Sequence, residues 1–262
     1  MSDEPEVVRE RRDAVLVIRI NRPDARNALN AAVMAGVGAG IAEAESDPDI
    51  RSVVLTGTGE KAFCAGMDLR SFAGGGIQPT EEEQKHMGTF MGFMSRGQCS
   101  VPVIGAAQAT ALAGGFELLM SCDLIVANEN AQFGLPEVKR GLFAAGGGMF
   151  LARRIPLAKA LELTLTGDPI SAAEAAELGL INKVVPADKV LDEAIALAER
   201  VAANGPLGVQ ASKELVRMAA LSGTDDVWKV HAERQGSVFS SEDAKEGATA
   251  FVEKRPPVWK GR

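Results

Sequence analysis

Tyrosine is absent from this chain of 262 residues, histidine and tryptophan occur twice each, and aromatic residues reach only 5%. A phenol is therefore excluded as acid, base or nucleophile, and a quaternary ammonium ligand would find few aromatic walls. His86 lies in a methionine-rich stretch and His231 in a charged one. No Gly-x-Ser-x-Gly elbow supplies a serine beside either, so a nucleophile–base relay is not available. The three cysteines, Cys64, Cys99 and Cys122, cannot all pair, match no zinc spacing, and lie in apolar stretches. They read as reduced core thiols of a cytosolic protein. No hydrophobic run has the length of a membrane span, and the charged segment 1–12 has no apolar core for a secretory signal. Cytoplasm is the expected location, with no membrane partner. Positive charge is also short: a net charge of -7 argues against nucleic acid as the main partner, so an anionic ligand must be met by a few local Lys or Arg residues.

What is present is ordinary for a folded chain, with 46% hydrophobic and 24% charged residues. The run Ala14 to Ile20 reads as a strand closed by the Asn21-Arg22-Pro23-Asp24 turn. Asn30 is placed to cap a helix running to about Ser46, although Gly36, Gly38 and Gly40 weaken that signal. Ser52 to Thr56, Val101 to Ala106 and Asp123 to Ala127 read as buried strands, with a short helix over Gly114 to Met120 and another over His86 to Met94. This alternation points to a layered α/β core. Beyond a soft boundary at Leu165 to Gly167 helices dominate. Ser171-Ala172-Ala173-Glu174 is a capping box opening a helix that stops at Gly179, and Ile181 to Val185 is strand-like. Helices are expected over about Asp188 to Ala203, Pro206 to Leu221, Asp225 to Phe239 and Ser241 to Lys254.

Two acids stand out. Glu117 follows Gly114-Gly115-Phe116 and Glu137 follows Phe133-Gly134-Leu135-Pro136, both in nearly uncharged surroundings. A carboxyl among apolar walls has a raised pKa and exchanges protons near neutrality, and two of them can hold one water. Gly66, in Ala65-Gly66-Met67-Asp68, can leave the Met67 N–H pointing outward, although a simple turn explains this segment equally well. Gly114 opens a helix whose first N–H groups have no intrahelical partner. Two outward N–H groups make an oxyanion hole for an enolised or attacked carbonyl. A dinucleotide loop is the rival reading, but no Gly-x-Gly-x-x-Gly follows the first strand, and Gly146-Gly147-Gly148 has no acidic ribose partner at the required offset. Carboxyls beside an oxyanion hole are the only complete chemistry left.

These segments, taken in order, resemble the crotonase (enoyl-CoA hydratase/isomerase) superfamily. The resemblance runs from Asn21-Arg22-Pro23 and Asn27-Ala28-Leu29-Asn30, through Phe63 to Leu69, Gly114 to Leu118 and Pro136-Glu137, to Leu165-Thr166-Gly167, Gly179-Leu180, Glu246-Gly247 and Ala250 to Arg255. It implies a spiral of ββα repeats over residues 1–190 carrying the active site, and a helical trimerisation region over 191–262. It also implies a homotrimer or dimer of trimers acting on acyl-CoA thioesters in lipid metabolism, with no separate cofactor and no metal. On this resemblance Met67 and Gly114 supply the oxyanion N–H groups, Glu117 orients or activates water, and Glu137 delivers a proton at Cα. Ala65, Asp68, Leu69 and Arg70 would follow the adenine and pantetheine, Arg26 and Arg70 would meet phosphates, and Phe251 and Lys254 would approach the nucleotide from a neighbouring subunit. A solvated helix end is the alternative for Lys254. Met87, Phe90, Met91 and Met94 would wall the acyl chain or simply pack the core.

Both acids favour hydration, because isomerases of the family generally keep only the second. Departures are Ala113 where a third glycine is frequent, Ala144 in place of a frequent proline, and the run Gly146 to Arg154. The tail from Phe251 to Arg262 and Leu135 to Lys139 resemble the carnitinyl-CoA dehydratase branch, the runner-up, which the dearth of aromatics disfavours. Isomerase activity and a catalytically silent acyl-CoA binder complete the alternatives.

Overall fold

The computed structural model describes residues 4–68, 78–221 and 224–262. The first strand read from sequence is β2 (Val15–Ile20), and it pairs antiparallel with β1 (Val7–Arg12). β1 was not anticipated because Arg9, Glu10, Arg11 and Arg12 hide it. An edge strand needs only one neighbour and tolerates charge. β3 (Ser52–Gly57), β4 (Val103–Ala107), β6 (Leu124–Asn128) and β9 (Lys183–Val185) extend the sheet, all parallel, in the order β1-β2-β3-β4-β6-β9.

A second, narrow layer holds β5 (Ala111–Leu112), β7 (Gln132–Gly134) and β8 (Ile170–Ser171). Single pairings of Leu29 with Met67 and of Cys64 with Ala111 continue it. The chain thus makes turns of a spiral: a strand in the wide sheet, a short extended piece in the narrow layer, then a helix. β4 and β5 lead to the helix Gly114–Met120 in one such turn. The helices are α1 (Ala31–Ser46), α2 (Glu81–Arg96), α3 (Gly114–Met120), α4 (Leu157–Thr166), α5 (Ala172–Glu177), α6 (Val190–Ala202), α7 (Pro206–Leu221), α8 (Thr224–Phe239) and α9 (Glu242–Glu253) among the described residues.

Local chemistry explains the boundaries. The Asn30 side chain accepts the Val33 N–H at 2.9 Å and caps α1. The glycines that weakened the α1 signal serve packing: a Cβ on Gly38 would lie 2.3 Å from the His86 carbonyl oxygen, so α1 and α2 approach backbone to backbone. α2 is longer than the His86 to Met94 segment expected, because Thr80 and Glu83 form a reciprocal capping box at its start. At α5 only half of the expected box forms. Ser171 accepts the Glu174 N–H at 3.1 Å, while the Glu174 carboxylate turns to Lys159 at 2.7 Å.

The sheet is covered on both faces. One face packs Leu16, Ile18, Leu55, Phe90, Phe93 and Phe116 in the main core. The other buries Val15, Val17, Val54 and Ile104 against Val190, Ala194 and Ala198 of α6. All three cysteines are buried and free. Burial pushes Cys64 and Cys122 up to about 12 and Cys99 to about 11, far from the thiolate that reactivity needs. Among the described residues no helix is long and apolar enough to cross a membrane.

Candidate active site

Two backbone segments meet at Gly66 and Gly114. Leu29 N–H donates to the Gly66 oxygen at 2.8 Å and Asp68 N–H to the Leu29 oxygen at 2.9 Å. This parallel bridge brackets Met67 and leaves its N–H outside the ladder. Gly114 is the first residue of α3 and so has no intrahelical acceptor. Among the described residues, neither N–H donates to a backbone carbonyl. A Cβ on Gly66, whose φ is 90°, would lie 3.0 Å from the Gly114 nitrogen, which places the two segments side by side. Close contact recurs one residue on, where a Cβ on Gly115 would fall 2.0 Å from the Cys64 oxygen. Ala113 precedes them with φ 52° and ψ -133°, a conformation that suits glycine and strains alanine.

Glu117 stands one turn into α3 and is 4% exposed. Its Oε1 accepts the Gly146 N–H at 2.8 Å and the Gly148 N–H at 2.7 Å. Burial raises its pKa, and the N–H groups of Gly148, Gly146 and Gly147 pull in the opposite direction. The glycine run set aside as a failed dinucleotide loop is therefore a cradle for this carboxyl. A Cβ at Gly146 would lie 2.9 Å from Glu117 Oε2 and one at Gly148 3.2 Å from Oε1. Three consecutive glycines were the signal, and only the identity of their anion was missing.

Glu137 is the second residue of a 3₁₀ turn, Pro136–Arg140, and is half-buried. Its Oε2 is buried without a hydrogen-bond partner among the described residues. Its pKa is raised mainly by burial and further by the Glu117 charge, against its own N–H and Arg140. Glu137 thus feels the field of Glu117.

The residues expected to hold a nucleotide separate into groups. Arg26 is exposed in a left-handed conformation, and its carbonyl accepts the Ala65 N–H at 3.1 Å. Asp68 is gripped by Arg22 at 3.1 Å, and Arg22 also reaches the Ala28 oxygen at 2.7 Å and Glu6 at 3.0 Å. Arg22, unforeseen, braces the segment that presents Met67. Leu69 and Arg70 lie outside the described residues, as does the side chain of Phe251. Lys254 is exposed at the end of α9 with φ 55°. No hydrogen bond or ion pair among the described residues joins α9 to the Glu117 region. The fold brings together Met67, Gly114, Glu117, Glu137, Arg26 and Ala65, whereas Lys254 makes no hydrogen bond or ion pair with them among the described residues.

A cavity of about 740 Å³ opens beside Glu117 and is lined by Met94, Met120, Gly147, Phe150 and side chains of α7. Its size suits a small-molecule ligand. Among the described residues, no group of three or more His, Cys, Asp or Glu side chains could hold a metal ion. Two N–H donors beside two carboxyls of raised pKa can polarise a carbonyl and exchange protons at neighbouring atoms.

The model of the enoyl-CoA hydratase/isomerase family matches residues 10–262. The enoyl-CoA hydratase EchA19 of Mycobacterium tuberculosis is 40% identical, over 98% of this chain and 97% of that protein. The carnitinyl-CoA dehydratase of Proteus mirabilis is 38% identical, over 96% and 97%. A crystal structure of an enoyl-CoA hydratase from Mycobacterium tuberculosis H37Rv superposes with a TM-score of 0.91 at 46% identity, covering 99% of this chain and 100% of that one.

Proposed function

The chain belongs to the enoyl-CoA hydratase/isomerase family, and from that membership we propose that it is an enoyl-CoA hydratase. It adds water across the trans-2 double bond of an enoyl-CoA and runs reversibly from the 3-hydroxyacyl-CoA. The observation that carries this reading is the presence of two acids of raised pKa, Glu117 and Glu137, beside the outward N–H groups of Met67 and Gly114.

In this mechanism the Met67 and Gly114 N–H groups donate to the thioester oxygen and stabilise the enolate that develops there. Glu117, its Oε1 fixed by Gly146 and Gly148, accepts a proton from water as the water oxygen bonds to Cβ. Glu137 gives a proton to Cα as the enolate collapses. One proton enters the pair and one leaves it, so passage of a proton between the acids restores the starting state.

The CoA moiety is assigned to Arg26 and the segment from Ala65 and Asp68 to Leu69 and Arg70, with Phe251 and Lys254 closing on the nucleotide from a neighbouring subunit. Residues 191–262 are assigned to assembly as a trimer or dimer of trimers. Exposed Trp228 and Phe239 within that region support such association, which could also cover Phe143, Met149 and Leu165 outside it. No separate cofactor is required, and the setting is cytoplasmic fatty-acid metabolism. A carnitinyl-CoA dehydratase is the second reading, favoured by the likeness to the Proteus mirabilis protein.

Loss of the conjugated-thioester absorbance of crotonyl-CoA tests the proposal, with crotonobetainyl-CoA run in parallel. Hydration of crotonyl-CoA with little on crotonobetainyl-CoA is expected. Failure to hydrate enoyl-CoAs of every chain length would sink the reading, and the reverse preference would install the second one.

A further inference from the structure

The cavity beside Glu117 begins at the reaction centre. Met94 lines it, and the Met94 methyl lies 3.5 Å from where a Cβ would stand on Gly114 and 2.5 Å from one on Gly146. Its apolar walls, Met94, Met120, Phe150, Val209 and Val216, suit an acyl chain. Its charged lining is less expected. Asp123 is shared by two cations, Lys213 at 2.7 Å and Arg217 at 2.8 Å, both reaching in from α7. Arg154, mostly shielded from solvent, donates to the Met120 carbonyl at 2.6 Å and has no carboxylate partner among the described residues. Arg153 also borders the space. Glu117, the other acid on the wall, has a pKa raised by burial and is engaged by backbone N–H groups.

The interior is therefore cationic by more than its own carboxylates can balance. A guanidinium keeps its charge when buried, and burying it without a counter-charge is unfavourable. An apolar chain end would leave Arg154 with only Asp123, already held by Lys213 and Arg217, to offset its charge. A carboxylate would relieve it through paired N–H···O bonds of the fork geometry arginine offers.

We propose that the acyl groups this protein prefers carry a carboxylate at the ω end, received in the cavity by Arg154 together with Arg217. The proposal rests on the enoyl-CoA hydratase reading and narrows its substrate class. It also sets the site against a trimethylammonium head group, which like charge would repel.

Calorimetric titration of the full-length protein with octanoyl-CoA and with its ω-carboxyl analogue tests this without any turnover. The analogue should bind about tenfold tighter to the wild type. In Arg154→Met that preference should vanish, and in Arg154→Lys part of it should survive. Equal or weaker binding of the carboxyl analogue by the wild type would overturn the inference, and this comparison needs no variant to fold. A wild type that keeps the carboxylate preference and hydrates no enoyl-CoA would strike the hydratase reading alone. Hydration of crotonyl-CoA without the preference would strike this inference alone.

Discussion

Glu117 and Glu137 are the same residue type with pKa values displaced in the same direction, yet their settings differ. Glu117 belongs to a regular helix, is buried, and has one oxygen fixed by two glycine N–H groups. Glu137 rides on a 3₁₀ turn, is half-buried, and keeps one oxygen unpaired among the described residues. Donors aimed at an oxygen favour its anionic form, whereas an unpaired oxygen in a poorly solvated place favours the neutral one. The contrast teaches a division of labour. On the proposed mechanism Glu117 is the oriented acceptor and Glu137 the proton donor, and their settings fit those roles.

The sharpest way to break this comparison is to neutralise each acid. Glu117→Gln and Glu137→Gln should each lower kcat by about a thousandfold, within the range for general acid–base groups, measured as crotonyl-CoA hydration. Activity of Glu137→Gln equal to wild type would end the assignment. The wild type should show a bell-shaped pH profile. Its acid limb, from protonation of Glu117, falls above the ordinary carboxylate range because that pKa is raised, and its alkaline limb marks loss of the Glu137 proton. Stability carries the same sign. A raised native pKa means the native state holds the proton longer than the unfolded chain, so wild-type stability falls as pH climbs from the unfolded value, about 4.3, through the native one. Glu117→Gln should therefore gain stability relative to wild type across that window in denaturant titrations, and a flat difference would contradict the burial argument.

The next effect is smaller because it displaces Glu117 without removing it. A Cβ on Gly148 would sit 2.3 Å from the Ala144 Cβ and 3.1 Å from Leu135. Gly148→Ala must move the loop and loosen the N–H groups that fix Oε1. We expect kcat to fall by about ten- to a hundredfold with KM little changed, as misplacement of a catalytic group costs. A KM effect at constant kcat would mean that the glycine run serves binding instead.

How far the site could be read in advance follows the same divide. Glu117, Glu137 and Gly114, and Met67 through its neighbour Gly66, stood out as candidates because acids and glycines are conspicuous in apolar sequence, and the Asn30 cap was legible because it acts within three residues. The glycine run at 146–148 was visible, but its partner lies 29 and 31 residues away and no local pattern names it. The same holds for Arg22 on Asp68, an ion pair 46 residues apart. β1 was hidden by surface charge, and the glycines of α1 looked like defects until α2 was seen lying against them. Local rules recover what the chain does with its neighbours. Contacts that depend on the spiral's return appear only in three dimensions.

Ala113 gives the smallest effect and the finest test of how tightly the oxyanion segment is drawn. Its φ of 52° and ψ of -133° cost an alanine about 1–3 kcal/mol. A glycine would shed that strain but add about 0.5–1 kcal/mol of unfolded-state entropy. Ala113→Gly should therefore stabilise the fold by about 1 kcal/mol and raise Tm by about 2–4 °C. The Ala113 methyl lies only 2.8 Å from the place a Cβ would occupy on Gly66, so it sits over the turn that presents the Met67 N–H and leaves room there for glycine alone. If that methyl helps set the spacing of the two donors, its removal should lower kcat by about twofold to threefold despite the gain in stability, a modest loss of transition-state stabilisation. Unchanged kcat with raised Tm would show that the donors are held by the Leu29 bridge and the α3 terminus alone. A lowered Tm would mean that the methyl contributes packing worth more than the strain it carries.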